Sequence, residues 1–194
     1  MKNTIKTQGD KLPFKTMKKQ IIMKRIVIVS VYLILTIVAN GQKIEKKEKD
    51  DFTGKEVTTT SWEVVCRNLK TGNTYFRVME IDGTFILDVK IDVGGKVLGI
   101  HKDGELIFLF DDGDKLTVNS LNGYVGARGA GAVGLGGSNS IGINARYSFQ
   151  IADDYKLLQT KTVSKYRVYF TDGYIDFEPN KAQSSTIQKL FQLF

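Results

Sequence analysis

Four Asp-Gly pairs, Asp82-Gly83, Asp103-Gly104, Asp112-Gly113 and Asp172-Gly173, stand between short runs rich in β-branched and aromatic residues. Asp-Gly tolerates the positive φ angles that tight hairpin turns demand. Each pair is therefore expected to join two antiparallel strands: Thr74–Ile81 to Thr84–Asp92, Val97–Lys102 to Leu106–Phe110, Leu106–Phe110 to Lys115–Asn119, and Lys165–Phe170 to Tyr174–Glu178. Connections this short exclude the helical crossovers of βαβ units, which disfavours a parallel nucleotide-binding sheet. Their unequal spacing excludes a fixed-period solenoid or propeller.

The rest of residues 42–194 extends the same pattern. Val57–Val65 reads as one strand, and Ala145–Ile151, with Tyr147 and Phe149 alternating, as another. The charged stretch 42–51 is either a frayed terminus or an edge strand in a hairpin with Val57–Val65. Ala152–Gln159 reads as a short helix with Asp153 and Asp154 in its first turn. Ile187, Leu190, Phe191 and Phe194 fall at i, i+3, i+4 and i+7, the apolar stripe of a C-terminal helix. Two start signals precede it, Asn180…Gln183 and Ser185…Gln188, of which the second fits the capping-box consensus more closely. The expected fold class is α+β: an antiparallel, twisted sheet of about seven to nine strands, meander or half-barrel in form, with a short helix and a C-terminal helix packed on one face.

Upstream, the apolar run Ile26–Ala39 follows Lys24-Arg25 and ends in Ala39-Asn40-Gly41, the layout of a secretory signal peptide over residues 1–41. Met17 and Met23 each give a more ordinary basic leader, so residues 1–16 read as an over-called start. The run has 14 residues, short of the about 20 that span a bilayer. No cysteine follows Gly41 to take a lipid. Residues 42–194 are thus expected to be a single domain, secreted or periplasmic, with no stable membrane span.

The chain carries 28 Lys+Arg against 21 Asp+Glu, and residues 1–41 hold eight of the bases and one acid. The domain is formally neutral, which removes the electrostatic case for a nucleic-acid partner. A lone cysteine, Cys66, forms no internal disulfide. Strand alternation puts it on the side of Trp62 and Val64, as a small buried hydrophobe.

Motifs that carry chemistry are few. The tract 123–142 holds eight of the 19 glycines and reads as a mobile surface loop. Within it, Gly129-Ala-Gly-Ala-Val-Gly134 matches G-x-G-x-x-G, but Leu135-Gly136-Gly137 does not start a helix, so no cofactor is expected. The single histidine, His101, leaves no ordinary metal-ligand set, and a Cys66–His101 dyad lacks any local context. Asp111-Asp112-Gly113-Asp114 lacks the register of a calcium loop and reads as a polar turn. Asp88, Asp92, Asp111 and Asp176 lie at or beside strands, where a hydrolytic pair would depend on their separation in space. In Tyr166–Phe177, Tyr166, Val168 and Phe170 share one face, and Arg167 and Tyr169 the other. Either both faces are covered, or Arg167, Tyr169 and Tyr174 meet a partner.

Lys49–Glu56 with Thr60-Ser61-Trp62, Tyr75-Phe76-Arg77, Leu106–Gly113 and Tyr166–Tyr174 together resemble small secreted hypothetical proteins of the Bacteroidota. The likeness covers most of 42–194. It implies an envelope location and a single domain, and brings no catalytic signature. The glycine tract is longer than such proteins lead one to expect. The expected function is a non-enzymatic domain binding a protein or glycan of the cell envelope. A carboxylate-dependent hydrolase of glycan or peptide is the first alternative, and a structural envelope protein the second.

Overall fold

The computed structural model describes residues 42–194 except 69–71, 93–97, 134–140 and 152. Segment 1–41, where a signal peptide is expected, and residues 134–140 of the glycine tract therefore lie outside the described residues. Gln42–Phe194 forms one unit.

The strands, in order, are β1 (Ile44–Lys49), β2 (Glu56–Thr60), β3 (Glu63–Asn68), β4 (Gly72–Ile81), β5 (Thr84–Asp92), β6 (Gly99–Ile100), β7 (Glu105–Phe110), β8 (Lys115–Ser120), β9 (Tyr124–Val125), β10 (Ala127–Arg128) and β11 (Ile141–Phe149). The short helix α1 (Tyr155–Thr160), β12 (Val163–Phe170), β13 (Gly173–Phe177) and α2 (Lys181–Phe191) complete the domain. Among the described residues eleven strands form one antiparallel sheet in the order β1-β2-β4-β5-β11-β8-β7-β12-β13, with β3 beside β4 and β10 beside β11. The architecture is mostly antiparallel β with two helices.

Three of the four Asp-Gly pairs close hairpins. Asp82 (φ 51°) and Gly83 (φ 80°) turn β4 into β5, Gly113 (φ 90°) follows the tight turn from β7 to β8, and Gly173 faces Phe170 at the end of β12. Asp103-Gly104 departs from the expectation. Asp103 has φ 64°, as such a turn requires, yet β6 pairs with β9 rather than with β7. The Asp103 N–H donates to the Ser120 carbonyl and the Ser120 N–H to the Gly104 carbonyl. The end of β8 thus takes the turn's backbone groups and steers the preceding chain away from β7.

The predicted strand 57–65 is divided at Ser61-Trp62, and both halves pair with β4. At the break the Thr60 hydroxyl accepts a 3.0 Å hydrogen bond from the Val78 N–H, which would otherwise be left without a ladder partner. β1 pairs with β2 as a fully exposed edge of mixed charge, settling the alternatives for 42–51 in favour of the strand. A register shift between Val64 and Cys66 sends both Val65 and Cys66 into the core. Cys66 therefore does not share a side with Val64 and Trp62, because the bulge cancels the alternation.

Sheet curvature positions the core. In strand order β4 and β12 are five steps apart, about 24 Å in a flat sheet. Yet the Phe76 ring on β4 lies 5.3 Å from the Tyr166 ring on β12, and the Thr74 and Tyr166 hydroxyls are hydrogen-bonded. The sheet wraps around Phe76, Phe108, Tyr166 and Phe177, all buried.

α2 packs against α1 and β3, burying Ile187, Leu190 and Phe191. Its capping box is at Asn180, not at Ser185: the Asn180 side chain accepts from the Gln183 N–H at 3.0 Å and the Gln183 side chain from the Asn180 N–H at 2.9 Å. The earlier start lets the buried Ser184 hydroxyl donate to the Val163 carbonyl at 2.7 Å. Asn180→Ala should cost about 1 kcal/mol, read as a lower urea midpoint at constant slope; an unchanged midpoint would mean that the cap is redundant. α1 starts one turn later than expected, so Asp153 and Asp154 precede its first turn, and Asp153 instead pairs with Lys156 at 2.8 Å.

The described part of the glycine tract is not a free loop. The Gly126 N–H donates to the Leu98 carbonyl at 2.7 Å, the Lys90 ammonium donates to the Ala132 carbonyl at 3.0 Å, and Gly131 is buried. Residues 129–133 form a strap across β5 and β11.

Candidate functional site

The turn at Thr171-Asp172 sets the β12–β13 register: Arg167 lies opposite Asp176, and Tyr169 opposite Tyr174. Alternation turns Tyr166 and Val168 inward, fully buried, and leaves these four side chains on the outer face. Arg167 grips Asp176 with two parallel hydrogen bonds, Nε to Oδ1 at 2.6 Å and Nη2 to Oδ2 at 2.9 Å. Its guanidinium carbon sits 3.7 Å from the centroid of the Tyr174 ring, and the Tyr169 and Tyr174 rings are 5.8 Å apart. Tyr174 remains 55% exposed. The residues expected to meet a partner are therefore side by side, on a hairpin whose guanidinium fork, once engaged, holds the aromatic ring in place.

On the other side of β12, Ile107 of β7 stands opposite Arg167 and Leu109 opposite Lys165, while Lys115 of β8 stands opposite Leu109. Together these residues enclose an open cleft of about 270 Å³, with Ile107 and Leu109 as its apolar lining and Lys115, Lys165, Arg167, Tyr169 and Asp176 as its polar and aromatic one. The hydrogen bonds from Arg167 hold the Asp176 carboxyl below the usual carboxylate range, and Asp176 in turn raises Arg167. Lys165 is raised by its ion pair with Glu178 at 2.7 Å. Lys165, Arg167 and Asp176 thus line the cleft as ionised, paired groups at neutral pH.

A second polar cluster crosses the outer face of β4, β5 and β11. Asp88 is 1% exposed and stands in register between Arg77 and Arg146. Arg77 Nε donates to it at 3.1 Å, and Arg146 Nε lies 3.2 Å from its other oxygen. The Arg77 guanidinium and the Lys90 ammonium lie 4.5 and 4.4 Å from the Trp62 ring centroid. Burial, and then repulsion from Arg77, push the Lys90 ammonium down. The two Asp88 oxygens face one guanidinium each, and Lys90 also donates to the Ala132 carbonyl, which makes the row a cross-strand tie.

The remaining sequence candidates separate in space. Lys161 binds Asp112 at 2.7 Å and also Asp114, which ties the acidic turn to the end of α1. Among the described residues no group of three His, Cys, Asp or Glu is placed to hold a metal ion. Cys66 is buried with its thiol facing the Glu178 carbonyl at 3.9 Å, and burial pushes that thiol up; His101 is exposed. Of G-x-G-x-x-G, Gly129 and Gly131 belong to the strap and Gly134 lies outside the described residues. Asp88 is engaged by Arg77 and Arg146, and Asp176 is held down by Arg167, the reverse of the raised carboxyl a general acid requires. No helix among the described residues is long and apolar enough to cross a membrane.

Sequence reading missed Ile107 and Leu109 as lining residues and did not pair Asp176 with Arg167. The second was accessible, since a two-residue turn before Gly173 places residue 176 opposite residue 167. No family model, curated protein or solved structure matches the chain.

Proposed function

We propose that residues 42–194 are a non-enzymatic binding domain, secreted or periplasmic, that takes a protein or glycan of the cell envelope on the outer face of β7, β12 and β13. The sheet is read as a half-barrel: α2 fills its open side, which leaves the convex face at β12–β13 for a ligand. One observation carries the reading. Tyr174 is an aromatic side chain more than half exposed, yet its ring is held by Arg167 beside a preformed cleft. Ordered, solvent-facing aromatic and arginine side chains are the usual anchors of an interface.

The test compares the wild-type chain with Tyr174→Ala for binding to fractionated cell-envelope polysaccharide and protein. Truncation of an anchor of this kind should weaken binding about tenfold, the equivalent of ~1.4 kcal/mol. Thermal stability should change little, because the side chain lies outside the core. Equal binding by the two proteins would remove this face from the function.

A further inference from the structure

Resting on the β7–β12–β13 face being the binding surface, we infer that its ligand is an uncharged saccharide, with one sugar ring seated in the cleft between Leu109 and Tyr169. Charge selects against the alternatives. Arg167 is already neutralised by Asp176 through a bidentate pair and Lys165 by Glu178. An incoming carboxylate, sulfate or phosphate could approach Lys115 at the β8 edge, but to engage Arg167 it would have to displace Asp176 from both hydrogen bonds or lie against it. An incoming ammonium would meet Lys115, which lines the cleft, and could reach Asp176 only by competing with Arg167 for it. A neutral polar ligand meets neither obstacle.

The hydrogen-bonding pattern points the same way. A guanidinium has five N–H donors, more than the bonds to Asp176 and Tyr169 use; each carboxylate oxygen keeps a further lone pair. One edge of the cleft therefore offers donors and acceptors side by side, fixed in position before the ligand arrives. Hydroxyl groups, which donate and accept through one oxygen, satisfy both, whereas a peptide backbone donates and accepts through separate N–H and C=O groups that point in different directions. The apolar side of the cleft is Ile107 and Leu109, with the Tyr169 ring on its wall, and these suit the C–H face of a sugar ring. At about 270 Å³ the cleft is below the roughly 300–1,000 Å³ of drug-sized pockets. It accommodates a single ring, and the open side lets a chain continue across the surface.

The experiment is calorimetric titration of the full chain with neutral oligosaccharides (gluco-, manno-, galacto- and N-acetylglucosamine series), with oligogalacturonate as the acidic probe. Wild type should bind at least one neutral series saturably, with an affinity that changes less than about twofold between low and high salt, since no ionic contact is screened. Tyr174→Ala and Arg167→Lys, the second keeping the charge and losing the planar fork, should each weaken that binding about tenfold. Saturable binding of oligogalacturonate alone, or binding that collapses with salt, would overturn the inference. If no saccharide binds while an envelope protein binds wild type and not Tyr174→Ala, the saccharide inference fails and the site stands. If Tyr174→Ala changes binding to neither class, both fail.

Discussion

Replacing Asp88 with alanine should destabilise the domain by about 3 kcal/mol, the lower end of the cost of breaking a buried ion pair. The lower end applies because Arg77 keeps 22% of its side chain exposed and Arg146 52%, so water screens part of what is left behind. Asp88 itself is 1% exposed and stands between the two guanidiniums of its row. Without it, Arg77 and Lys90, both against the Trp62 ring, would lose the carboxylate that offsets their repulsion. Urea denaturation of the variant measures the loss. Pairing Asp88→Leu with Arg77→Met should recover much of it, because the cost lies in the orphaned charge rather than in a missing attraction. A single-variant loss below about 0.5 kcal/mol would place the row among solvated surface pairs.

Turns were the legible part of this fold because their chemistry is local. Asp82-Gly83, Asp112-Gly113 and Asp172-Gly173 each specify a hairpin with the residues of the turn alone. Asp103-Gly104 specifies the same backbone twist, but the partner of β6 is decided by hydrogen bonds to Ser120, 16 or more residues downstream. The division of β2 from β3 was invisible for a related reason. Thr58 to Val65 are good strand formers throughout, and what permits the break is the Thr60 hydroxyl reaching Val78. The two capping signals before α2 differed little locally, and the choice rests on Ser184 finding Val163. In the candidate site, alternation gave the faces of Arg167 and Tyr169, and turn length fixes Asp176. Ile107 and Leu109 pair with residues 60 and 56 positions further on, and nothing near them in sequence points to β12.

Gly142→Ala should cost about 3 kcal/mol or more, at or above the top of the range for overpacking a tight site. A Cβ at Gly142 would lie 2.4 Å from the Ile91 carbonyl oxygen and 2.5 Å from the Gly131 Cα. Both obstacles are backbone, so no rotamer change relieves them. A Cβ at Gly131 would meet the same Ile91 oxygen at 2.4 Å, so the two glycines let the strap lie directly on β5 and β11. Either the strap lifts, breaking the hydrogen bond from Lys90 to Ala132, or the two strands separate in the middle of the sheet. Gly113→Ala is the control: nothing lies within 4 Å of its Cβ position, and its positive φ alone should cost about 1 kcal/mol. Thermal melts of the two variants separate close approach from chain conformation. A Gly142→Ala loss no larger than that of Gly113→Ala would mean that the strap detaches freely. The larger loss would mean that glycines here serve contact rather than mobility: composition reports that a side chain is missing, and only the neighbouring backbone reports why.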